Sequence, residues 1–325
     1  MTENDLLKEI IALLDSDDTG NAVSVINDKL TLLLENNNNQ VSEYFANLLQ
    51  LAMRGIQYKI DLMETDPYQL KKGYDYLQKY LSYADDSVLV PKHEPVIWWC
   101  WLQGLESAPP IVKACYRSLK ILNMKVNIIT SDNYDQYVNI PTYILDKWKA
   151  GIISDAHFSD LLRLELLTSR GGIWVDATVF VTGNKSLKLL QDRKLFVFSH
   201  VMRGMESEYI RASHWLIASD GNSSILRSTK KMLYSYWKNE NKLENYFLFH
   251  LFFAMASLLY KDEWQDVPSY SNVPPHMLQQ ELFQPYTEIR WQQLCQMSDF
   301  HKLTYLNVGM AAGETFYDYI VKMYT

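Results

Sequence analysis

The stretch 159-SDLLRLELLTSRGGIWVDAT-178 decides how the rest of the chain is read. Leucines at 161, 162, 164, 166 and 167 recur at helical spacing and leave few polar positions. Gly171 and Gly172 close that helix, a short β-rich run follows, and Asp176 stands where the run stops. A helix returning into an apolar strand is a repeat unit of an alternating α/β fold, whose ligands bind beyond the carboxyl ends of the strands. Asp176 sits in that position. Two residues later comes Thr178.

Outward from this stretch the alternation continues. The run 95-PVIWWCWLQG-104 predicts a buried strand ending in a glycine turn, and 108-APPIVKACYRSLKILN-123 a helix opened by proline. Lys125 to Thr130 predicts a second strand, and 139-NIPTYILDKWKAG-151 another helix. The run 173-IWVDATVFVTG-183 reads as a strand, whole or broken after Asp176. "KLFVFSH" and "SHWLIAS" predict two more, followed by long helices at about 222–239 and 245–260. The expected fold class is α/β, a mostly parallel sheet flanked by helices. Residues 1–90 differ: Leu/Ile runs at three- and four-residue spacing, broken at "DSDDTGN", "ENNNNQ" and "TDPY", predict an all-helical bundle with no catalytic cluster. Residues 91–325 would form the sheet-containing domain.

Composition narrows the chemistry. A chain of 325 residues, 48% hydrophobic and 21% charged, buries a sizeable core. Its 22 Tyr, 12 Phe and 9 Trp would serve a stacking surface, although rings in such a chain go mostly to the core. A net charge of −7 argues against nucleic acid as a partner. Cys100, Cys115 and Cys295 form no CxxC pair, and the acidic start lacks a signal peptide's basic region. A cytoplasmic protein is expected, with peripheral attachment to the inner face of a membrane left open. Neither GxGxxG nor GxxxxGK[ST] follows a strand, which excludes dinucleotide-binding and P-loop readings.

On the helix through 159–170, Asp160 and Arg163 lie three apart and share a face. As an exposed pair they would be worth under ~1 kcal/mol. On a helix apolar on most sides they would instead be buried, where a charge pair is costly without a purpose. An arginine facing a diphosphate and an aspartate facing a sugar hydroxyl would supply one.

Taken together, "IWWCWLQG", "SDLLRLELLTSRGGIWVDAT" and 245-NYFLFH-250 resemble the capsular polysaccharide synthesis protein family. That group is similar to the DXD-type glycosyltransferases of family 32 and, more distantly, to large glucosylating toxins. The resemblance spans roughly residues 91–310. It implies a GT-A fold, a nucleotide-sugar donor (a UDP-sugar first among them), and hexose transfer with retention onto a glycan or lipid-linked glycan acceptor.

Carried over position by position, the run Ile97 to Gly104, with Gln103, would line the nucleobase pocket, and Trp98 or Trp101 would stack on the base. Asp160 would bind sugar hydroxyls and Arg163 the sugar or diphosphate. Gly171 and Gly172 would let the backbone approach the donor, and Asp176 would be the first acid of the DXD element. Thr178 falls where the direct metal ligand belongs, and a hydroxyl is a poor ligand for Mg²⁺ or Mn²⁺. A cation would then be held by Asp176, diphosphate oxygens and His250. Alternatively, Arg163 and a lysine would neutralise the diphosphate without metal. His250, in an aromatic-rich helix, reads equally as a ligand or as a core residue. His214 and Trp215 are candidate contacts, the tryptophan more in the manner of a packing residue. Thr178 also keeps a second class of function in view, a degenerate transferase that binds sugar nucleotide or glycan as a scaffold.

Overall fold

The computed structural model describes Leu77, Lys79, Tyr80, Ser82 and residues 94–191, 193–199, 210–306 and 314–324. The helical bundle expected over residues 1–90, and its boundary at 90, otherwise lie outside the described residues. Leu77 and Tyr80 are themselves fully buried in the main core.

The strands are β1 (Ile97–Cys100), β2 (Val126–Ile129), β3 (Gly172–Asp176), β4 (Val179–Val181), β5 (Phe196–Ser199), β6 (Ala212–Ser219) and β7 (Phe300–Lys302). The α-helices are α1 (Pro110–Ser118), α2 (Thr142–Lys149), α3 (Asp155–Ser169), α4 (Leu187–Leu190), α5 (Ser224–Asn239), α6 (Leu248–Leu259), α7 (Lys261–Gln265), α8 (Val273–Gln280), α9 (Glu288–Met297) and α10 (Phe316–Tyr324).

Five strands form the central sheet in the order β2-β1-β3-β6-β5. β1 pairs in parallel with β2 and with β3, β6 is antiparallel to β3, and β5 antiparallel to β6. Four of the five strands therefore point the same way. The class expected from sequence, a mostly parallel sheet flanked by helices, is the one observed. The reversed strand is "SHWLIAS".

Alternation along the strands sorts the core into two layers. Trp98, Cys100, Trp174 and Ile217 pack with Leu161 and Leu164 of α3, Tyr236 of α5 and Phe252 of α6. Ile97, Trp99, Ile173 and Val175 pack with Val112 and Cys115 of α1, Leu278 of α8 and Ile320 of α10. With both faces covered, β1 is buried along its whole length, which is why its sequence is a continuous apolar run.

The run after the glycine pair is a broken strand. β3 ends at Asp176, and β4 leaves the sheet to pair antiparallel with β7, Val179 opposite Lys302. The Leu303 N–H donates to the Thr178 carbonyl at 2.8 Å and extends this pairing to the turn.

The two glycines have a packing role. Gly171 has φ +66° and Gly172 φ +103°, and a Cβ on Gly172 would lie 2.6 Å from the Val96 carbonyl and 2.9 Å from Trp98 Nε1. They let β3 enter between β1 and β6. Gly172 also opens the strand that Asp176 ends, four residues or about 13 Å away. The donor-facing role expected of Gly171 and Gly172 is therefore corrected: they stand at the amino end of β3, remote from its carboxyl end.

Candidate active site

Asp176 ends the central strand, opposite Cys100 of β1, so the segment Trp101–Gly104 leaves the sheet at the same edge. α3 runs back from that edge. Its start is capped by Ser154, whose hydroxyl accepts from the His157 N–H, and its first half carries Asp160 and Arg163 toward Asp176.

Arg163 joins the two acids. Its Nη1 donates to Asp160 Oδ1 at 2.8 Å and its Nη2 to Asp176 Oδ1 at 3.0 Å. The guanidinium carbon lies 4.8 Å from the Trp174 ring centroid and 5.6 Å from that of Phe249, so the cation is held between aromatic faces. Its side chain is 3% exposed. Buried with both terminal nitrogens on carboxylates, Arg163 ties the two acids together.

Asp176 accepts hydrogen bonds on both oxygens. Oδ1 also accepts from Trp174 Nε1 at 2.8 Å, and Oδ2 lies 3.1 Å from Lys302 Nζ. The same ammonium donates to Thr178 Oγ1 at 2.6 Å. Burial would raise the Asp176 carboxyl, but the charges of Lys302 and Arg163 outweigh it and hold it below the usual range. Asp160 behaves oppositely: burial pushes it up to about 7 against the pull of Arg163. Two acids on one arginine thus differ in protonation near neutrality.

Imidazoles surround Asp160. His157 Nδ1 and His214 Nε2 each lie 3.6 Å from its oxygens, on Oδ2 and Oδ1 respectively. Burial lowers His157 to about 4 and His214 well below its usual value, so both are neutral at pH 7 and these contacts are not ion pairs. His250, on α6, meets His214 edge-on with ring centroids 4.2 Å apart. Trp215 is buried and stacks on Phe198 at 4.8 Å, a packing role. Tyr246 stands exposed at the rim, edge-on to His157.

The tryptophans expected at a nucleobase separate cleanly. Trp98 is buried, its Nε1 donating to the Gly171 carbonyl at 2.7 Å and its ring edge-on to Tyr137. It offers no free face, which removes it as a stacking platform. Trp101 is only partly buried and meets Tyr305 edge-on at 5.4 Å. Gln103 is exposed and donates to Asp155 Oδ2 at 2.8 Å, tying the loop after β1 to the start of α3. Gly104, at φ +84°, turns that loop with nothing within 4 Å of a would-be Cβ.

A divalent cation does not fit these residues. Among the described residues no group of three or more His, Cys, Asp or Glu could hold one. Both Asp176 oxygens and the Thr178 hydroxyl already accept hydrogen bonds, and His250 faces His214. An ion bound to Asp176 would have to compete with Lys302 for the carboxylate.

Lys302 and Trp174 are the residues that sequence reasoning missed by number. Lys302 belongs to a three-residue strand, too short for alternation to reveal. Trp174 sits inside the quoted stretch, where it reads as an ordinary strand residue.

Among the described residues no helix is long and apolar enough to cross a membrane. A comparison with curated proteins gives no match. The sequence model of one family, described as "Capsular polysaccharide synthesis protein", matches residues 57–320, which extends the likeness inferred from motifs by more than thirty residues toward the amino end. With most of its length matched, this chain belongs to the capsular polysaccharide synthesis protein family.

Proposed function

We propose that the protein is a retaining glycosyltransferase, which moves a hexose from a nucleoside-diphosphate sugar, a UDP-sugar first among them, onto a capsular or other cell-surface glycan, free or lipid-linked. The observation that carries this reading is the pair of acids at the carboxyl edge of the sheet, Asp176 and Asp160, joined by a buried arginine. Such an edge is where α/β folds bind ligands. Two carboxyl groups of different protonation suit the hydroxyls of a sugar, one accepting hydrogen bonds and the other able to donate. Trp101, beside Tyr305, would stack on the base, with Gln103 and Gly104 lining the same loop. The family's link to capsule synthesis supports the reading, and the motif resemblance to GT-A enzymes of family 32 implies the same chemistry.

In the reaction, the bond between the anomeric carbon and the β-phosphate oxygen breaks, its electron pair staying on the phosphate. The acceptor hydroxyl attacks the oxocarbenium-like carbon from the same face and gives its proton to the departing phosphate oxygen. This step needs no enzymic nucleophile. Work at the inner face of a membrane would bring the site to a lipid-linked acceptor.

Full-length protein incubated with UDP- and GDP-sugars and lipid-linked glycan acceptors should release nucleotide diphosphate and extend the acceptor. No release and no saturable donor binding with any common donor would end this reading. Thr178 favours one rival, a binding scaffold derived from a transferase; donor binding in calorimetry without turnover would establish that instead.

A further inference from the structure

We propose that Lys302 supplies the positive charge that faces the leaving diphosphate, in the place a divalent cation takes beside a carboxylate pair, so that donor binding and turnover are independent of metal. This rests on the transferase reading above.

The placement comes from the backbone. Lys302 lies opposite Val179 in the β4–β7 pair, and the Leu303 N–H to Thr178 carbonyl bond continues the register to the turn after Asp176. The ammonium is thereby set across Asp176 and Thr178, at 3.1 Å from Oδ2 and 2.6 Å from Oγ1. An ammonium has three N–H donors, and these contacts use two. Of the two cations on Asp176, Lys302 is the one open to a ligand: its side chain is 22% exposed against 3% for Arg163.

Charge balance agrees. Asp176 is offset by Arg163 and Lys302 together, and burial keeps Asp160 from adding a full second negative charge at neutral pH. The site is therefore ready to accept an anion and opposed to a dication.

The inference also gives Thr178 a reason. A second aspartate at this position would pair with Lys302 and cancel its charge, whereas the threonine hydroxyl accepts the hydrogen bond and leaves the charge for the diphosphate. No bond forms to Lys302 during transfer; it stabilises the electron pair left on the phosphate oxygen.

The test uses the full chain in excess EDTA. Calorimetry would measure UDP and uridine binding by the wild type, Lys302→Met and Lys302→Arg, with thermal melting of each variant to show that it folds. UDP should bind the wild type equally well in EDTA and in Mn²⁺. Lys302→Met should lose about 10- to 100-fold in UDP affinity with uridine affinity unchanged, and about 100-fold in kcat with UDP-sugar. Lys302→Arg should recover most of both. UDP binding or turnover that needs Mn²⁺ would overturn the role of Lys302 and leave the transferase reading standing, as would a Lys302→Met protein within about threefold of wild type. No binding of any nucleoside diphosphate, with or without metal, would overturn both.

Discussion

Arg163 reaches Asp176 from a buried position, with Nη2 on Oδ1 at 3.0 Å and its guanidinium over the Trp174 ring. Since Nη1 simultaneously holds Asp160, one buried side chain sets the spacing of both acids. Arg163→Ala would leave Asp160 without its cation and Asp176 with Lys302 alone; removing one partner of a buried pair typically costs about 3–5 kcal/mol. Arg163→Lys keeps the charge but cannot hold both acids in one planar fork. Urea denaturation should show a large loss for the alanine variant and a smaller one for lysine, with nucleotide release from UDP-sugar falling sharply in both. Unchanged turnover in either variant would remove the positioning role.

Asp160 gives the stability a signed pH dependence. Its pKa is raised from 3.8 to about 7 in the folded protein, so the folded state holds this proton more tightly than the unfolded chain. The stabilisation is complete below the unfolded value and is lost as pH rises from about 4 to about 7. Asp176, whose pKa is lowered, contributes in the other direction and below its ordinary value of 3.8. The difference in denaturation midpoint between wild type and Asp160→Asn, followed from pH 4 to pH 8, therefore isolates Asp160. It should move in favour of the asparagine variant as pH rises; a difference independent of pH would contradict the raised pKa.

Two glycines at positive φ should respond differently to alanine. At Gly104 the φ of +84° with ψ 150° is strained for an L-residue but space is free, so Gly104→Ala should cost about 1–3 kcal/mol. At Gly172 the same strain adds to a Cβ 2.6 Å from the Val96 carbonyl, and the loss should be about 3 kcal/mol or more. Urea midpoints measured side by side would check the ordering.

Trp101 should matter for the nucleobase and little for the fold. Trp101→Ala should weaken UDP and uridine binding alike, by about 10-fold, in line with a base–aromatic stack of about 1–3 kcal/mol. Pyrophosphate binding should not change. Equal losses for pyrophosphate would mean that the ring supports the loop after β1 instead.

Much of this architecture was legible because burial on both faces writes itself into a strand as an unbroken apolar run, as in "IWWC", and burial on one side writes itself into a helix as spacing. The acids and arginine of the quoted stretch were legible too, since a charge pair three residues apart on an apolar helix has few bland explanations. Strand direction was not: "SHWLIAS" reads the same whether it runs parallel or antiparallel. Gly171 and Gly172 were misread because sequence shows that a Cβ is unwelcome without showing which neighbour objects. Trp98 and Trp101 are near neighbours of one type, and only the indole bond to the Gly171 carbonyl separates core from rim. Lys302 carries no local signature at all; its meaning lies entirely in what it faces.

The pairing of β4 with β7 has a consequence for the life of the chain. The lysine on Asp176 and Thr178 comes from 124 residues beyond Thr178, after the five-stranded sheet has been fully synthesised. A growing polypeptide can therefore hold its parallel strands and the residues Asp160, Arg163 and Asp176 while the cluster still lacks its outer cation, Lys302. The cluster is completed only by a late, long-range closure, of the kind that forms slowly, so that a protein able to carry out the proposed transfer would be one whose chain has been made and folded at least through β7.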